Sequence, residues 1–261
     1  MTPSELVPRL RAAGCVFAED EAALLLSAAG DTAELEALTA RRVAGEPLEQ
    51  VVGWAELCGV RTAVVPGVFV PRRRSELLVR EAVSGAAEGA VVVDLCCGNG
   101  AVGRAVVGRL SRFELHASDV DPVAVACARR NLADVGGSVH EGDLDAALPP
   151  SLRARVDVLV VNAPYVPTGE LALMPREALL FEPRRALDGG PDGVAVHRRV
   201  AAAAPRWLSP GGHLLVETSA RQAALTAAAF RAAGLAPRVV TDDDLEATVV
   251  VGTVVGTAGT G

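Results

Sequence analysis

A run of β-branched residues, Val91-Val92-Val93-Asp94-Leu95, leads through Cys96-Cys97 into Gly98-Asn99-Gly100 and then into an alanine- and valine-rich stretch, Ala101 to Leu110. Few backbones satisfy that order. The run is apolar without alternation, which suits a strand buried on both faces of a parallel sheet. Closely spaced glycines then permit a tight turn, and helical spacing follows. Gly98, Gly100 and Gly103 fit G-x-G-x-x-G, and Asp119 stands at the matching distance after a second strand over 114–118. The chain is therefore expected to build a doubly wound α/β sheet around this unit.

The glycine pattern alone does not name the ligand. Asp94, at the mouth of the loop, bears on the choice. A carboxylate there opposes a pyrophosphate, whose oxygens seek a helix N-terminus free of nearby anions. It suits a cation, such as the ammonium and sulfonium of S-adenosylmethionine. Asp119 can accept two ribose hydroxyls in either case. The reading favours S-adenosylmethionine over a nicotinamide cofactor, with Asp94, Cys96, Gly98, Gly100 and Asp119 as candidate cofactor residues. Small side chains at Cys96 and Cys97 allow close backbone approach.

From Ala90 onward strands and helices alternate, with strands expected at 91–95, 114–118, 138–140, 156–161, 213–217, 236–240 and 247–251 and helices at 101–110, 122–134, 194–207 and 219–233. Alternation of this kind builds a doubly wound sheet, and two strands in succession at the end imply an antiparallel hairpin. Residues 3–45 read as short helices, with a stop and cap at Gly30-Asp31. A β-like stretch at 60–70 turns at Pro66-Gly67, and Ser75 caps a helix reaching about Ser84. Three units follow: a small, mainly helical N-terminal domain at 1–71, a Rossmann-like domain at 72–252, and a disordered Gly/Thr/Ala-rich tail at 253–261.

The strand Val156 to Val161 delivers Asn162-Ala163-Pro164-Tyr165 to its carboxyl end, where open α/β sheets bind ligands. Tyr165 is the single tyrosine of the chain. An amide, a kinking proline and an aromatic ring at that point suit a flat amide-like or amino-heterocyclic group. Asn and Pro are also ordinary turn residues, so a plain turn stays open at this stage.

Composition narrows the classes. The net charge of −7 counts against a dedicated nucleic-acid binder, which draws its affinity from neutralised phosphates. All 25 positive charges are arginine, and the Arg72-Arg73-Arg74 cluster reads as a solvated surface. Five cysteines without a C-x-x-C pair and four histidines without i, i+4 spacing give no metal or disulfide framework. No apolar stretch is long enough to span a bilayer, and Met1 to Glu5 lacks the features of a signal peptide. A soluble, cytoplasmic protein is expected, with no membrane partner and no stable nucleic-acid binding.

Taken together, several segments resemble the family of protein N5-glutamine methyltransferases that modify peptide-chain release factors. They are Glu46 to Gly53, Phe69-Val70-Pro71-Arg72, Asp94 to Gly100, Ala117-Ser118-Asp119, Gly142-Asp143-Leu144, the Asn162 tetrapeptide, and Phe181-Glu182-Pro183-Arg184-Arg185-Ala186-Leu187-Asp188-Gly189-Gly190-Pro191-Asp192-Gly193. The resemblance covers roughly Glu46 to Gly252. It implies an S-adenosylmethionine-dependent N-methyltransferase with Asn162 and Tyr165 catalytic and with Asn162, Ala163, Pro164, Tyr165 and Glu182 holding the acceptor, Asn162 also bordering the cofactor. It further implies that Asp143 accepts from the adenine amino group, although a helix-cap role is the alternative. Glu182-Pro183 can equally be an ordinary loop, and Phe69 either lines the cofactor pocket or belongs to the core. Two departures stand out: Ala163 replaces the usual proline, and Arg73-Arg74 replaces a proline and an acidic residue. The implied partner is a peptide-chain release factor, with a small amide, guanidine or amino acid as the alternative acceptor.

Overall fold

The computed structural model describes residues 3–254 of the 261-residue chain. Its first part is helical: α1 (Pro3–Ala12), α2 (Ala18–Ala28), α3 (Thr32–Val43) and α4 (Leu48–Val52). Leu6, Leu10, Leu25, Leu35 and Val51 meet in a core of their own. The stop at Gly30-Asp31 forms as the residues predict. Asp31 Oδ1 accepts the Glu34 N–H at 2.8 Å, satisfying one donor that α3 leaves unpaired, and Glu34 Oε2 accepts the N–H of Gly30, just before the cap, at 2.7 Å.

A short antiparallel pair follows, β1 (Trp54–Leu57) and β2 (Val60–Ala63). Here the sequence reading needs correction. The turn at Pro66-Gly67 is present, with the Val68 N–H donating to the Val65 carbonyl at 3.2 Å, but the strand pairing lies earlier: β1 and β2 reverse at Cys58-Gly59, both with positive φ. Residues 66–70 lie outside any strand, and Val68 packs on Ala124 and Cys127. The hairpin is tied to the glycine loop, because Asn99 Nδ2 donates to Thr62 Oγ1 and to the Ala63 carbonyl at 3.0 and 3.1 Å. Leu57 joins the main core beside Leu77 and Ala105. These contacts bind residues 54–70 to the segment beyond Pro71.

Next come α5 (Glu76–Gly85), β3 (Ala90–Leu95), α6 (Ala101–Val107), β4 (Phe113–Asp119), α7 (Pro122–Leu132), β5 (Ser138–Glu141) and β6 (Val156–Val161). The remainder is α8 (Arg176–Phe181), α9 (Ala195–Ala203), β7 (Leu208–Thr218), α10 (Ala223–Ala232), β8 (Leu235–Asp242) and β9 (Ala247–Val254). Seven strands form one sheet in the order β5-β4-β3-β6-β7-β9-β8. The first five are parallel, and β9 runs antiparallel between β7 and β8. This is a doubly wound α/β sheet with a terminal antiparallel hairpin, as the sequence implies.

Strand periodicity divides the core. Val92, Val158 and Val160 face Leu77, Leu78, Ala105 and Val106, while Val91, Val93, Leu159 and Val161 face Val200, Ala204, Ala227 and Phe230. Each such side chain, fully buried, contributes about 1.5–3 kcal/mol by leaving water. Thr253 and Val254, assigned to a disordered tail from composition, are instead paired in β9 with Ala236 and Leu235. The rest of that expected tail lies outside the described residues. A second correction concerns Ser75: its side chain caps no helix end and points into a buried polar cluster.

Candidate active site

The sheet order reverses direction between β3 and β6, and the carboxyl ends of these strands border a cavity of about 990 Å³. Asp143, Asp119, Asp94 and Asn162 stand at the ends of β5, β4, β3 and β6, so they are spread along one edge in the spatial order of the strands. All four line the cavity, together with Cys96, Gly98, Ala163, Pro164, Tyr165 and Phe69. Gly100 does not border it. With a φ of +81° it closes the turn, and a Cβ there would press on Leu132 at 3.2 Å.

Asp94 is almost fully buried, and one of its oxygens accepts the Gly103 N–H at 2.8 Å. Burial pushes its carboxyl up to about 7, opposed by that N–H and reinforced by the charge of Asp119. Asp119 receives the Gly98 N–H on one oxygen and the Asp121 N–H on the other, both at 2.9 Å. Burial also raises its carboxyl, against these two donors. Two acids unable to balance one another face a single cavity, which favours a cationic, hydroxyl-bearing ligand over an anionic one. Burial holds the Cys96 and Cys97 thiols well above their ordinary range, so neither supplies a thiolate. Asp143 caps no helix with its side chain and pairs with Arg199 at 2.7 Å.

On the other side of the cavity, Asn162 Nδ2 donates to Ser75 Oγ at 3.2 Å. Among the described residues no donor reaches Asn162 Oδ1 or the Ala163 carbonyl. The Phe181–Gly193 segment holds this tetrapeptide from behind. Gly189 N–H donates to the Val166 carbonyl at 2.8 Å, and Gln222 Nε2 donates to the Tyr165 carbonyl at 2.7 Å. A Cβ on Gly189 would lie 2.7 Å from both the Pro164 carbonyl oxygen and Tyr165 Cα, so only glycine permits the approach.

Glu182 is not where a substrate contact requires it. Its side chain is fully buried and does not border the cavity; it accepts from Val70 N–H at 3.2 Å and from Arg72. The residue anchors the Phe69–Arg72 segment against α8, which corrects the expectation that it holds the acceptor. The arginine cluster is likewise not simply a solvated surface. Arg72 pairs with Glu182, Arg74 Nε reaches Glu217 at 3.3 Å, and the Arg74 guanidinium sits 5.8 Å from the Tyr165 ring centre. Glu217 and Ser75 went unnoticed as site residues in the sequence. The available signal was an acid at the carboxyl end of Leu214-Leu215-Val216, the same position that marked Asp94 and Asp119.

Comparison with known proteins shows the family. Residues 62–199 match the Methyltransferase small domain family. A release factor glutamine methyltransferase of Geobacter sulfurreducens is 37% identical over 206 residues, spanning 78% of this chain and 72% of its own. The chain belongs to the release factor glutamine methyltransferase family. It is an S-adenosylmethionine-dependent methyltransferase. Another relative, a 4-amino-L-phenylalanine/4-methylamino-L-phenylalanine methyltransferase of Streptomyces pristinaespiralis, is 35% identical over 74% of this chain and 68% of its own. A solved methyltransferase from Pyrococcus furiosus shares the fold, with a TM-score of 0.56, 14% identity, and coverage of 75% of this chain and 89% of its own. Among the described residues no helix is long and apolar enough to cross a membrane.

Proposed function

We propose that this methyltransferase transfers a methyl group to the side-chain amide nitrogen of a glutamine in a peptide-chain release factor. The observation that carries the reading is the pair of unengaged acceptors, Asn162 Oδ1 and the Ala163 carbonyl, bordering the same cavity as Asp94 and Asp119. A primary amide offers two N–H donors, and two fixed carbonyl acceptors match them. An amide nitrogen is a poor nucleophile because its lone pair is delocalised. Acceptors on both hydrogens orient it and stabilise the positive charge that grows on nitrogen. Since a backbone carbonyl is the second acceptor, Ala163 serves as proline would, losing only stiffness.

S-adenosylmethionine, when bound, supplies the methyl on a sulfonium centre, and a thioether leaves. The fit of the site to it rests on the acid pair. Asp94 is matched to the ammonium, Asp119 to the ribose diol and Asp143 to the adenine amino group, with Gly98 and Cys96 giving close backbone approach. Tyr165 and Pro164 pack on the flat amide, and the chain's contribution is alignment for in-line displacement. The resulting N-protonated amide is strongly acidic and loses its proton to water without a dedicated base. The helices of residues 3–52 are suited to gripping the protein partner, outside the cavity. A second reading, an amine or amide on a small carboxylate-bearing molecule, is favoured by Arg74 beside Tyr165 and by the Streptomyces relative.

Transfer of radiolabelled methyl to purified release factor, compared with free glutamine and aromatic amino acids, separates the two. Label on the protein, lost in Asn162→Ala while donor affinity persists, is the expected result. Label on the small molecules alone overturns the release-factor reading.

A further inference from the structure

A buried polar cluster beside the cavity centres on Glu217. The residue is 1% exposed and follows Val216, which pairs with Val161 across β6 and β7, so it stands beside Asn162. A carboxylate so buried must be matched by donors. Ser75 Oγ donates to Oε2 at 2.6 Å, while the Tyr165 hydroxyl and Arg74 Nε reach Oε1 at 3.2 and 3.3 Å. Burial first, and the Glu217 charge second, raise the Tyr165 phenol, so that hydroxyl remains a donor.

We propose that Glu217 is a positioning residue that fixes, through Ser75, which end of the Asn162 amide faces the acceptor. The inference rests on the reading of Asn162 as the acceptor's hydrogen-bond partner. A carboxylate can only accept, so it claims the single hydrogen of the Ser75 hydroxyl. Ser75 Oγ then has only lone pairs left to offer. The amide end that meets it must be Nδ2, and Oδ1 is turned to the cavity. With the amide reversed, two oxygens would meet at 3.2 Å with no hydrogen between them. The chain Glu217–Ser75–Asn162 thus has one direction, set by the carboxylate. Sequence places these three residues far apart, and only the sheet brings them together.

The test is Glu217→Gln, which keeps the shape but can donate to Ser75 Oγ and so allows the reversed amide. Ser75→Ala removes the middle of the chain while leaving the Tyr165–Glu217 bond, and serves if the first variant folds poorly. Each is expected to lower kcat for release-factor methylation about 10- to 100-fold, as small misplacements at a reacting centre do. The double variant should be no worse than the single ones, because they break one chain. Donor affinity by calorimetry should stay at the wild-type value. In spectra of protein labelled with ¹⁵N at its asparagine side chains, the Asn162 amide signals should shift or broaden in both variants, while those of Asn131 stay put. Wild-type kcat with unchanged Asn162 signals in Glu217→Gln, or effects that multiply in the double variant, would overturn the proposal. Asn162→Ala run in parallel separates the two levels: if it retains turnover, the acceptor reading itself fails. If it is inactive while Glu217→Gln behaves as wild type, only the role of Glu217 falls. The amide signals are read without any acceptor, so they report even if release factor is not the substrate.

Discussion

Replacing Asp94 by asparagine should make the donor-free protein more stable and the donor-bound protein weaker, with a pH dependence that identifies the cause. In the folded chain burial pushes the carboxyl up to about 7, from its ordinary value of 3.8. A raised folded pKa means that the folded state holds a proton the unfolded state has released. Its contribution to stability is complete below pH 3.8 and is lost progressively as pH rises through about 7. Between pH 5 and pH 7 that loss spans two pH units, about 3 kcal/mol at 1.36 kcal/mol per unit. Water in the open cavity reduces the figure, and the asparagine has no such pH dependence. At 2–4 °C per kcal/mol for a chain of this size, the Tm advantage of Asp94→Asn should therefore widen by about 5–10 °C between pH 5 and pH 8, then level off. Donor binding should move the other way. Loss of a charge-assisted bond to the ammonium costs about 1.5–3 kcal/mol, or roughly a 10- to 150-fold rise in Kd at pH 8. Binding to the wild type near pH 6.5 should release a proton, visible as a calorimetric enthalpy that depends on the buffer. Scanning calorimetry across pH decides the matter. An Asp94→Asn protein less stable than wild type at pH 8, or a Tm gap indifferent to pH, would refute the reasoning.

Three further outcomes are expected. Asp119→Ala should weaken donor binding by about 2–3 kcal/mol in calorimetry; Asp119→Asn, which can still accept from Gly98 and Asp121, should separate loss of charge from collapse of the loop. Glu182→Ala should leave Arg72 and the Val70 N–H without their buried acceptor, costing about 3 kcal/mol in denaturant melts, with donor affinity retained. Gly193→Ala places a Cβ against Gln222 Nε2 and the Tyr165 carbonyl at a φ of +75°, so turnover should fall through a displaced Tyr165; Gly67→Ala, with the same backbone strain at a φ of +83° but no atom near its Cβ, should leave Tyr165 in place.

Much of the fold was determined by sequence alone, because strand and helix patterning depends on neighbours a few residues apart. Val156 to Val161 reads as a buried strand and is one, residue for residue. Asp94 and Asn162 were legible beside apolar runs, Asp119 by its distance from the glycine loop and Asp143 only through the family resemblance; parallel strands deliver all four to one edge. Where the sequence reading strayed, two local solutions were equally good. Val68 to Val70 are apolar enough for a strand, yet beyond the turn at Pro66-Gly67 they pack on Ala124, Cys127 and Ala55 and pair with no strand. Ser75 looks like a helix cap until Glu217, 142 residues later, claims its hydroxyl. Glu182 sits in a segment typical of the cleft, yet its carboxylate turns inward because Arg72 and Val70 N–H are its donors. Burial and the direction of a hydrogen bond are properties of partners brought together by the sheet, so tertiary structure alone decided which acids face the cavity and which hold it in shape.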